Sequence, residues 1–565
     1  MRTIINLLLA LAICATPLAA QNQQAAQDQQ SFDVVGQIVT KIIEREHQEI
    51  DTIRKYSPLV ETYVQKVSNN KPDETSWEPD GDRYFIGRAD FSKGLKLEPI
   101  EARKDGRLHQ TFADVNRFFG IGIDYLPKGF LQMIYPDTNG LDKPAYNFAY
   151  VRREFLGEVR TLVFDVTPSK AEKGRFIGRI WVEDEAFTIV RFNGTFAGNG
   201  DSFRKFHFES WRVNSGPNLW LPAFVYSEEN SPKYLMRGAV WSKAQTRLWG
   251  YNVGKSAEEE ELSRVLIESS TPVIDNSEQS TDRSPVQQKR AWDMQAQDNV
   301  VERLQREGLI APRGEVDKIL DTVVNNLEVT NNLNFDPDIR CRVLLTSTME
   351  SFNVGRTIIL SRGLIDVLPD EASLAAMIAK ELGHIVVGEK TASGFAFYDW
   401  MIRFDELKTF KHLDFNRSED DDAKASAKAS ELLSNSPYKG QLQTAEIFIA
   451  ELQKRSKEIP NLISPRLGAA ILVKPSVSAD TEDKPGANQL VAMPLGGRVK
   501  MDPWDDTLDM LKSKPLGTIT ERDKMPFEVA PFDIYLTRVG GGPPKTSDNQ
   551  ATPQLESGVQ ERHAE

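Results

Sequence analysis

Short β-rich runs dominate the first half of the chain, between about residues 59 and 250. Each run is rich in Val, Ile, Phe, Tyr and Trp, and Gly, Pro, Asn or Asp residues separate it from the next. Three of the clearest runs are residues 161–166, 176–182 and 187–192. Runs of this kind, bounded by turn residues, are typical of antiparallel strands. Before them, apolar residues recur at helical spacing from Val35 as far as Pro58, so the sequence predicts one helix followed by a long curved antiparallel β-sheet.

The second half of the chain follows a different pattern. An acidic run and a stretch rich in Ser, Thr, Gln and Asp occupy residues 253–290, which predicts a solvated linker. A helical pattern resumes at Ala291 and continues in a second helix. Strand-like segments at 340–346 and 357–360 are then followed by at least three further helices. These features predict an α+β domain.

The length of 565 residues is too great for one hydrophobic core, so two or three domains are expected. Beyond residue 475 the sequence is irregular, with a strand-like piece at Ile534 to Leu536, and it ends in a polar stretch. We divide the chain into a signal peptide at 1–20, a β domain at 32–252, a linker at 253–290, an α+β domain at 291–475, an extension at 476–539 and a disordered tail at 540–565.

The first twenty residues have the layout of a cleaved secretory signal. Arg2 is followed by an apolar run from Ile4 to Ala15, and the small residues Ala19 and Ala20 precede a glutamine-rich stretch. The protein is therefore expected to be exported to the periplasm or cell envelope, or secreted. The apolar run is shorter than the roughly 20 residues of a membrane span. No later run is longer, so no transmembrane helix is expected in the mature chain.

The charge balance limits the partners of this protein. The formal net charge is −13 and the sequence pI is about 5.3. Binding to nucleic acid needs a basic surface, so nucleic acid is not expected as a partner. Beyond the predicted signal the chain has one cysteine, Cys341, so no internal disulfide is expected.

The segment from Glu350 to Lys390 carries the most specific pattern. A predicted helix opens at Asp370 and places Lys380 and His384 one turn apart. In zinc peptidases this spacing holds two histidines that bind one Zn²⁺, and the glutamate beside the first histidine activates the metal-bound water. Here Glu381 and His384 stand in place, but the first histidine is replaced by Lys380.

The surrounding sequence resembles the gluzincin metallopeptidases of the CAAX prenyl endopeptidase group, peptidase family M forty-eight, which includes periplasmic quality-control proteases. The matching residues are Ser351-Phe352, Gly363-Leu364, Asp370-Glu371, residues 374–379 and Glu381-Leu382-Gly383-His384. The resemblance implies a zincin-like fold with Glu381 as the general base.

The same resemblance implies a third metal ligand, a glutamate on a later helix, with an aspartate four residues further on. Alignment through residues 429–433 puts Asp422 at the glutamate position and Ser426 at the aspartate position; Glu419 is about one helical turn out of register. In the resembled family an edge strand above the zinc helix holds an extended peptide. The residues at that place in this chain are Thr357, Ile358, Ile359 and Leu360.

These departures change the expected metal chemistry. A catalytic zinc needs three protein ligands, and the only other histidine between residues 291 and 475 is His412. A lysine ammonium opposes Zn²⁺ rather than binding it. No cofactor is therefore expected, and we expect the Lys380 ammonium to pair with Asp422 or Glu381. The alternative is a zinc site that is still held by Glu381, His384 and Asp422, with or without Glu419.

The first half resembles the periplasmic lipoprotein-carrier proteins and their outer-membrane lipoprotein-sorting relatives. The resemblance lies in residues 178–184 followed by 189–191, and in residues 219–222. It implies a concave sheet face that binds an acyl chain or a lipoprotein. A closed sandwich without a cavity has the same alternation of residues.

Three functions follow from these patterns. The first is a non-catalytic pseudopeptidase of the cell envelope that binds a peptide or an envelope protein. The second is an active zinc endopeptidase in envelope protein quality control. The third is a lipid or lipoprotein binder that works through residues 32–252.

Overall fold

A computed structural model describes most of both halves of the chain. The described residues are 35–68, 78–92, 95–100, 128–251, 285–388, 415, 418–463, 499–510 and 529–538, except 139, 171, 173, 198–205, 230–240, 336–337, 503, 505 and 533. The predicted signal peptide 1–20, most of the predicted linker, His412 and the predicted tail 540–565 lie outside them.

The first half forms a helix followed by a large antiparallel sheet, which confirms the predicted order, and a short second helix that was not predicted lies between the third and fourth strands. In chain order the elements are α1 (residues 35–53), β1 (Leu59–Ser68), β2 (Glu78–Asp90), β3 (Lys96–Pro99), α2 (Lys128–Gln132), β4 (Tyr146–Leu156), β5 (Val159–Pro168), β6 (Phe176–Glu183), β7 (Ile189–Phe196), β8 (Phe206–Gly216), β9 (Leu219–Glu229) and β10 (Trp241–Trp249). The ten strands lie in the order β3-β2-β1-β10-β9-β8-β7-β6-β5-β4. Since β1 pairs with β10, the beginning and the end of the β-rich region are neighbours.

The two faces of this sheet carry different cores. Side chains alternate between the faces along a strand, so Val60 and Val64 of β1 lie on one face while Leu59 and Tyr63 lie on the other. We call the first the inner face, because α1 packs on it, and the second the outer face.

Aromatic rings fill the inner face. Phe176, Phe192 and Phe208 are fully buried, and their ring centroids lie 5.8 to 6.1 Å apart. Ile42 and Ile53 of α1 pack on the same cluster and are also fully buried. The alternating pattern of the strands therefore buries one complete apolar layer beneath α1.

A charged pair lies inside this layer. Arg212 of β8 donates two hydrogen bonds of 2.7 Å to the carboxylate of Glu46 on α1, and both side chains are fully buried. The Arg212 guanidinium also approaches the backbone oxygen of Ile189 at 3.3 Å. Buried charges are tolerated only when they are paired, so this pair fixes how α1 sits on the sheet.

The second half is an α+β assembly around a small sheet. Its elements are α3 (Pro285–Arg306), α4 (Glu315–Thr330), β11 (Arg340–Leu344), β12 (Ser351–Val354), β13 (Thr357–Ser361), α5 (Arg362–Val367), α6 (Glu371–Val387), α7 (Glu419–Ser434), α8 (Leu442–Arg455), α9 (Pro460–Ile463), β14 (Val499–Met501) and β15 (Leu508–Met510). The small sheet has the order β11-β13-β12, and β14 pairs with β15 separately.

The predicted linker at 253–290 is too long at its C-terminal end. The sequence pattern placed the start of the next helix at Ala291, whereas α3 begins at Pro285. A proline is well suited to the first turn of a helix, because the N–H that it lacks would have no helical partner there. The residues directly after Val286 are polar, so no apolar spacing marks the first turn of this helix.

The prediction that Thr357, Ile358, Ile359 and Leu360 form a peptide-holding edge is wrong. These residues belong to β13, the central strand, which pairs in parallel with β11 and antiparallel with β12. A strand paired on both sides has no row of backbone groups left to bind a peptide. The sequence could not place the strand, because edge and centre depend on the partners that fold beside it.

The two halves share one hydrophobic core. Leu59, Tyr63 and Trp249 of the outer face belong to the same buried cluster as apolar residues of α3, α4 and α6. The indole N–H of Trp249 also donates to the backbone oxygen of Gly308 at 2.9 Å. The two predicted domains are therefore distinct segments of the sequence, but they pack together around one core.

Two buried carboxylates of the large sheet bind the second half by hydrogen bonds. Asp82 of β2 accepts from the backbone nitrogens of Asn461 and Leu462 at 3.0 and 2.8 Å. Glu61 of β1 accepts from the hydroxyl of Ser347 at 2.6 Å. Both carboxylates lie on the outer face, so directional hydrogen bonds as well as apolar packing join the two halves.

The C-terminal extension returns to the first half of the chain. Trp504 packs edge-on against Tyr56 at 5.7 Å, and Asp506 accepts from the backbone nitrogen of Gly250 at 2.9 Å. We call residues 529–538 the C-terminal strap, and its described residues, 529–532 and 534–538, lie on the outer face without regular secondary structure. The strand-like piece predicted at Ile534 to Leu536 belongs to this strap, and it pairs with no strand in the described part of the chain.

Across the described ranges, no helix combines the length and apolar character needed to span a bilayer.

Candidate functional site

Helix α6 positions Lys380, Glu381 and His384. Asp370 precedes the helix and its carboxylate accepts from the backbone nitrogen of Ser373 at 2.8 Å, as the sequence predicted. The helix ends at Gly388, whose φ of +80° is the left-handed conformation that glycine adopts readily. Between these ends, Lys380 and His384 lie one turn apart on a side of α6 that is buried.

Helix α7 packs closely on that side. Ser418 caps it, accepting from the backbone nitrogen of Asp421. The two helices approach at Gly383, where an added Cβ would lie 2.4 Å from the backbone oxygen of Ala425. The glycine of the motif therefore allows the helices to touch, and this contact brings Asp422 to Lys380 and His384.

The three side chains meet at one oxygen. Lys380 Nζ lies 3.6 Å from Asp422 Oδ1, and His384 Nε2 lies 3.2 Å from the same atom. Lys380 and His384 are 4% and 1% exposed, whereas the Asp422 side chain is 34% exposed. The contact of His384 with this oxygen is an ion pair only when the imidazole is protonated. We call Lys380, His384 and Asp422 the ion-pair cluster.

Electrostatics favour the charged form of Asp422. Burial acts to raise its pKa, but the contact with His384 and the positive charge of Lys380 outweigh burial and hold the pKa below its ordinary value. Of the two partners expected for Lys380, the structure therefore places Asp422 beside it.

Glu381 is bound elsewhere. The hydroxyl of Ser351, at the start of β12, donates to Glu381 Oε1 at 2.6 Å, and Glu381 is 2% exposed. Ser351 is one of the residues that carry the sequence resemblance, but the sequence does not predict its contact with Glu381. The spacing of residues gives no signal for it, because the contact joins a strand to a helix that follows later in the chain.

The hydrogen bond of Ser426 lies within α7 and does not reach Lys380 or His384. Its hydroxyl donates to the backbone oxygen of Asp422 at 2.6 Å, one turn back along α7. Serine often makes this bond inside a helix.

The described residues differ from a zinc peptidase at one of the ligand positions that the sequence resemblance implies. Within the described ranges, no group of three or more His, Cys, Asp or Glu side chains lies close enough to hold a metal. His384 and Asp422 stand at two of the ligand positions that the resemblance implies, and the cationic Lys380 stands at the third.

The inner face of the large sheet is the other predicted site. Its described residues are closely packed beneath α1, as the aromatic cluster shows. The hydroxyls of Ser210, Ser227 and Ser242 are buried there and have no hydrogen-bond partner among the described residues. Ser210 and Ser227 pair across the strands with Phe192 and Phe208, which places them on the inner face. Buried polar groups without a partner are rare in native proteins.

Comparison with known proteins gave limited matches. No family model and no curated protein matches this chain. A solved structure of a LolA-superfamily protein from Nitrosomonas europaea is similar, with 11% identity over 37% of this chain and 90% of that protein, at a TM-score of 0.17. A putative outer-membrane lipoprotein-sorting protein domain from Vibrio parahaemolyticus is similar with 9% identity, over 40% of this chain and 97% of that domain, at a TM-score of 0.16.

Proposed function

We propose that this protein is a non-catalytic, zincin-like protein of the cell envelope that binds a peptide or protein partner. In this proposal the ion-pair cluster stands where a zinc peptidase would hold its metal. The proposal also takes residues 1–20 as an export signal, and it assigns no proteolytic activity to the chain.

The position of Lys380 supports this proposal most directly. Its ammonium lies 3.6 Å from Asp422 Oδ1, between the two helices that would supply the metal ligands. A metal ion at this point would face a positive charge instead of a donor atom. The cluster joins α6 to α7 without a metal, although a partly buried ion pair adds little net stability.

The surroundings of Glu381 support the same reading. A general base must reach a water molecule beside the metal. Glu381 is almost fully buried and accepts a hydrogen bond from Ser351, so its carboxylate is engaged by the protein itself. It acts here as a link between α6 and β12.

Zinc analysis of the purified protein tests the proposal. We expect the wild type to contain no tightly bound zinc and to leave casein uncut. Lys380→His should raise the zinc content toward about one equivalent per chain, because it supplies the third ligand beside His384 and Asp422. Lys380→Gln is the matched control, since it removes the charge without supplying a strong ligand, and it should bind no zinc.

Two outcomes would overturn the proposal. One is about one equivalent of tightly bound zinc in the wild type. The other is cleavage of casein by the wild type that a chelator abolishes. Either result would favour the active endopeptidase, with Glu381 as its base.

A lipid or lipoprotein ligand of the inner face is a second candidate function. The hydroxyls of Ser210, Ser227 and Ser242 have no hydrogen-bond partner among the described residues, and the polar groups of an amphiphile that displaced α1 from the packed inner face would satisfy them.

Mass spectrometry of an organic extract tests this second function. We expect acyl-containing molecules to co-purify with the wild type. Ser227→Ala should lower their amount several-fold, since it removes a hydroxyl that this candidate uses to bind the ligand. Ser169→Ala, on the loop after β5, is the control and should retain the wild-type amount. An extract without lipid from a freshly purified, folded wild type would exclude this candidate.

A further inference from the structure

A second apolar surface lies on the outer face, away from the contact between the two halves. It consists of buried side chains of β5 to β9, with three tryptophans at its centre. We call it the tryptophan surface, and its members are Val159, Val163, Trp181, Val190, Trp211 and Trp220. The guanidinium of Arg191 lies 4.2 Å from the ring centroid of Trp181 and 4.5 Å from that of Trp211.

The C-terminal strap covers this surface. Leu536 is 1% exposed and belongs to the same buried cluster as the tryptophans, and Phe532 and Ile534 pack against the cluster while partly buried. The Phe532 ring lies 4.9 Å from the Phe224 ring. Tyr535, between the buried positions, is 62% exposed. Alternate side chains thus face the sheet, as in a peptide bound in a groove.

Polar contacts hold the strap at both ends. At one end, Gln245 donates to the backbone oxygen of Ala530 at 2.7 Å. At the other end, Arg538 forms ion pairs with Glu183 and Glu185. Near that end Glu158 donates its backbone N–H to the backbone oxygen of Leu536 at 2.8 Å.

The turn between β4 and β5 is shaped to accept the strap. Gly157 has a φ of +66°, and an added Cβ there would lie 2.5 Å from the backbone oxygen of Leu536. A glycine at this point permits both the turn and the close approach of a second backbone. The surface is therefore built to receive a polypeptide.

The strap fits this surface incompletely. The indole N–H of Trp211 is buried and has no hydrogen-bond partner within the described chain. The same holds for Nε and Nη1 of Arg247, whose guanidinium lies 5.4 Å from the Phe532 ring. Buried donors without acceptors are costly. The entropy lost on ordering the strap also opposes the free energy gained by burying three apolar side chains.

We propose that the tryptophan surface is a docking site for an extended segment of another protein, and that the C-terminal strap occupies it as a displaceable internal ligand. The partner segment carries apolar side chains at alternate positions and a basic residue after them, as the strap does at Phe532, Ile534, Leu536 and Arg538. It also carries an acceptor that satisfies Trp211 or Arg247. This site is independent of the ion-pair cluster.

Peptide binding to the full-length protein tests this proposal. The probe is a fluorescently labelled peptide with the sequence of residues 529–538. In the wild type the tethered strap competes at a high effective concentration, so the peptide should bind weakly. Arg538→Glu, which repels Glu183 and Glu185, should raise the affinity for the peptide by about tenfold or more. Tyr535→Ser changes a side chain that faces solvent and should behave as the wild type.

A second variant provides an independent test of the docking site, and a second peptide tests the specificity of binding. Leu536→Asp removes the main apolar contact of the strap and should also expose the site, and thermal unfolding shows whether each variant is folded. A peptide that carries the Leu536→Asp change should bind none of the proteins. If folded Arg538→Glu and Leu536→Asp proteins bind the unmodified peptide no better than the wild type, the surface is not a docking site. Zinc content plays no part in this measurement, so it is separate from the test of the proposed function.

Discussion

Replacing Glu46 with leucine is expected to lower the free energy of unfolding by about 3–5 kcal/mol. The substitution leaves the Arg212 guanidinium fully buried, 5.9 Å from the Phe192 ring centroid, without the carboxylate that it binds. The loss of a partner from a buried ion pair costs far more than the pair itself contributes, because the remaining charge stays out of water. Chemical denaturation monitored by tryptophan fluorescence measures the effect.

Two further variants test whether the loss of stability comes from the unpaired buried charge or from removal of any glutamate of α1. Glu44→Leu lies on the exposed side of α1 and should change stability by less than about 0.5 kcal/mol. The double variant Glu46→Leu/Arg212→Met removes both charges and should recover most of the loss. If Glu46→Leu were as stable as Glu44→Leu, the ion pair would not be buried as the structure has it.

A second large effect is expected from Glu49, one turn further along α1. Burial raises its pKa from 4.5 to about 7, although Arg212 and Arg45 act to lower it and Glu46 adds to the rise. Arg45 lies 2.6 Å from its carboxylate, and Tyr56 also faces it. The folded protein therefore holds a proton on Glu49 between about pH 4.5 and 7 that the unfolded chain has released.

The sign of the pH dependence follows from this proton. Because the folded state binds it more tightly, the contribution of Glu49 to stability falls as the pH rises from about 4.5 to 7 and is constant above that range. A shift from 4.5 to about 7 corresponds to about 3 kcal/mol across the range.

Unfolding of Glu49→Gln over the same pH range measures this contribution. Glutamine cannot ionise, so between pH 4.5 and 8 the variant should gain about 3 kcal/mol relative to the wild type. Glu44→Gln, which is exposed on the same helix, should keep the wild-type pH dependence. A Glu49→Gln profile parallel to that of the wild type would contradict the raised pKa.

Several elements could be predicted because their signals are local. The spacing of apolar residues and the cap at Asp370 predicted the helix that carries Lys380 and His384, and α6 begins one residue later. The period of Leu320, Val323 and Val324 predicted α4 in the same way. Short-range spacing is enough for such elements, because a helix satisfies its own backbone hydrogen bonds.

Other features depended on contacts between distant parts of the chain. Glu46 shares a helix face with Ile42 and Ile50, which are four residues away on either side. A charged residue on an apolar face is the one signal in the sequence that Glu46 is buried and needs a partner. Nothing in the sequence named Arg212 as that partner. Likewise, the strap at 529–538 has apolar residues at alternate positions, but the surface that it covers lies more than 300 residues earlier.

By itself, the sequence determined the helix with Lys380, Glu381 and His384 and the order of the β-rich and α+β halves. Each of these is fixed by residue identity or by short-range periodicity. Only the tertiary structure decided that Asp422 meets Lys380 and His384, that Glu381 is held by Ser351, and that β13 lies in the centre of its sheet. These outcomes depend on which helices and strands pack together, and the close contact at Gly383 is one place where that packing is set.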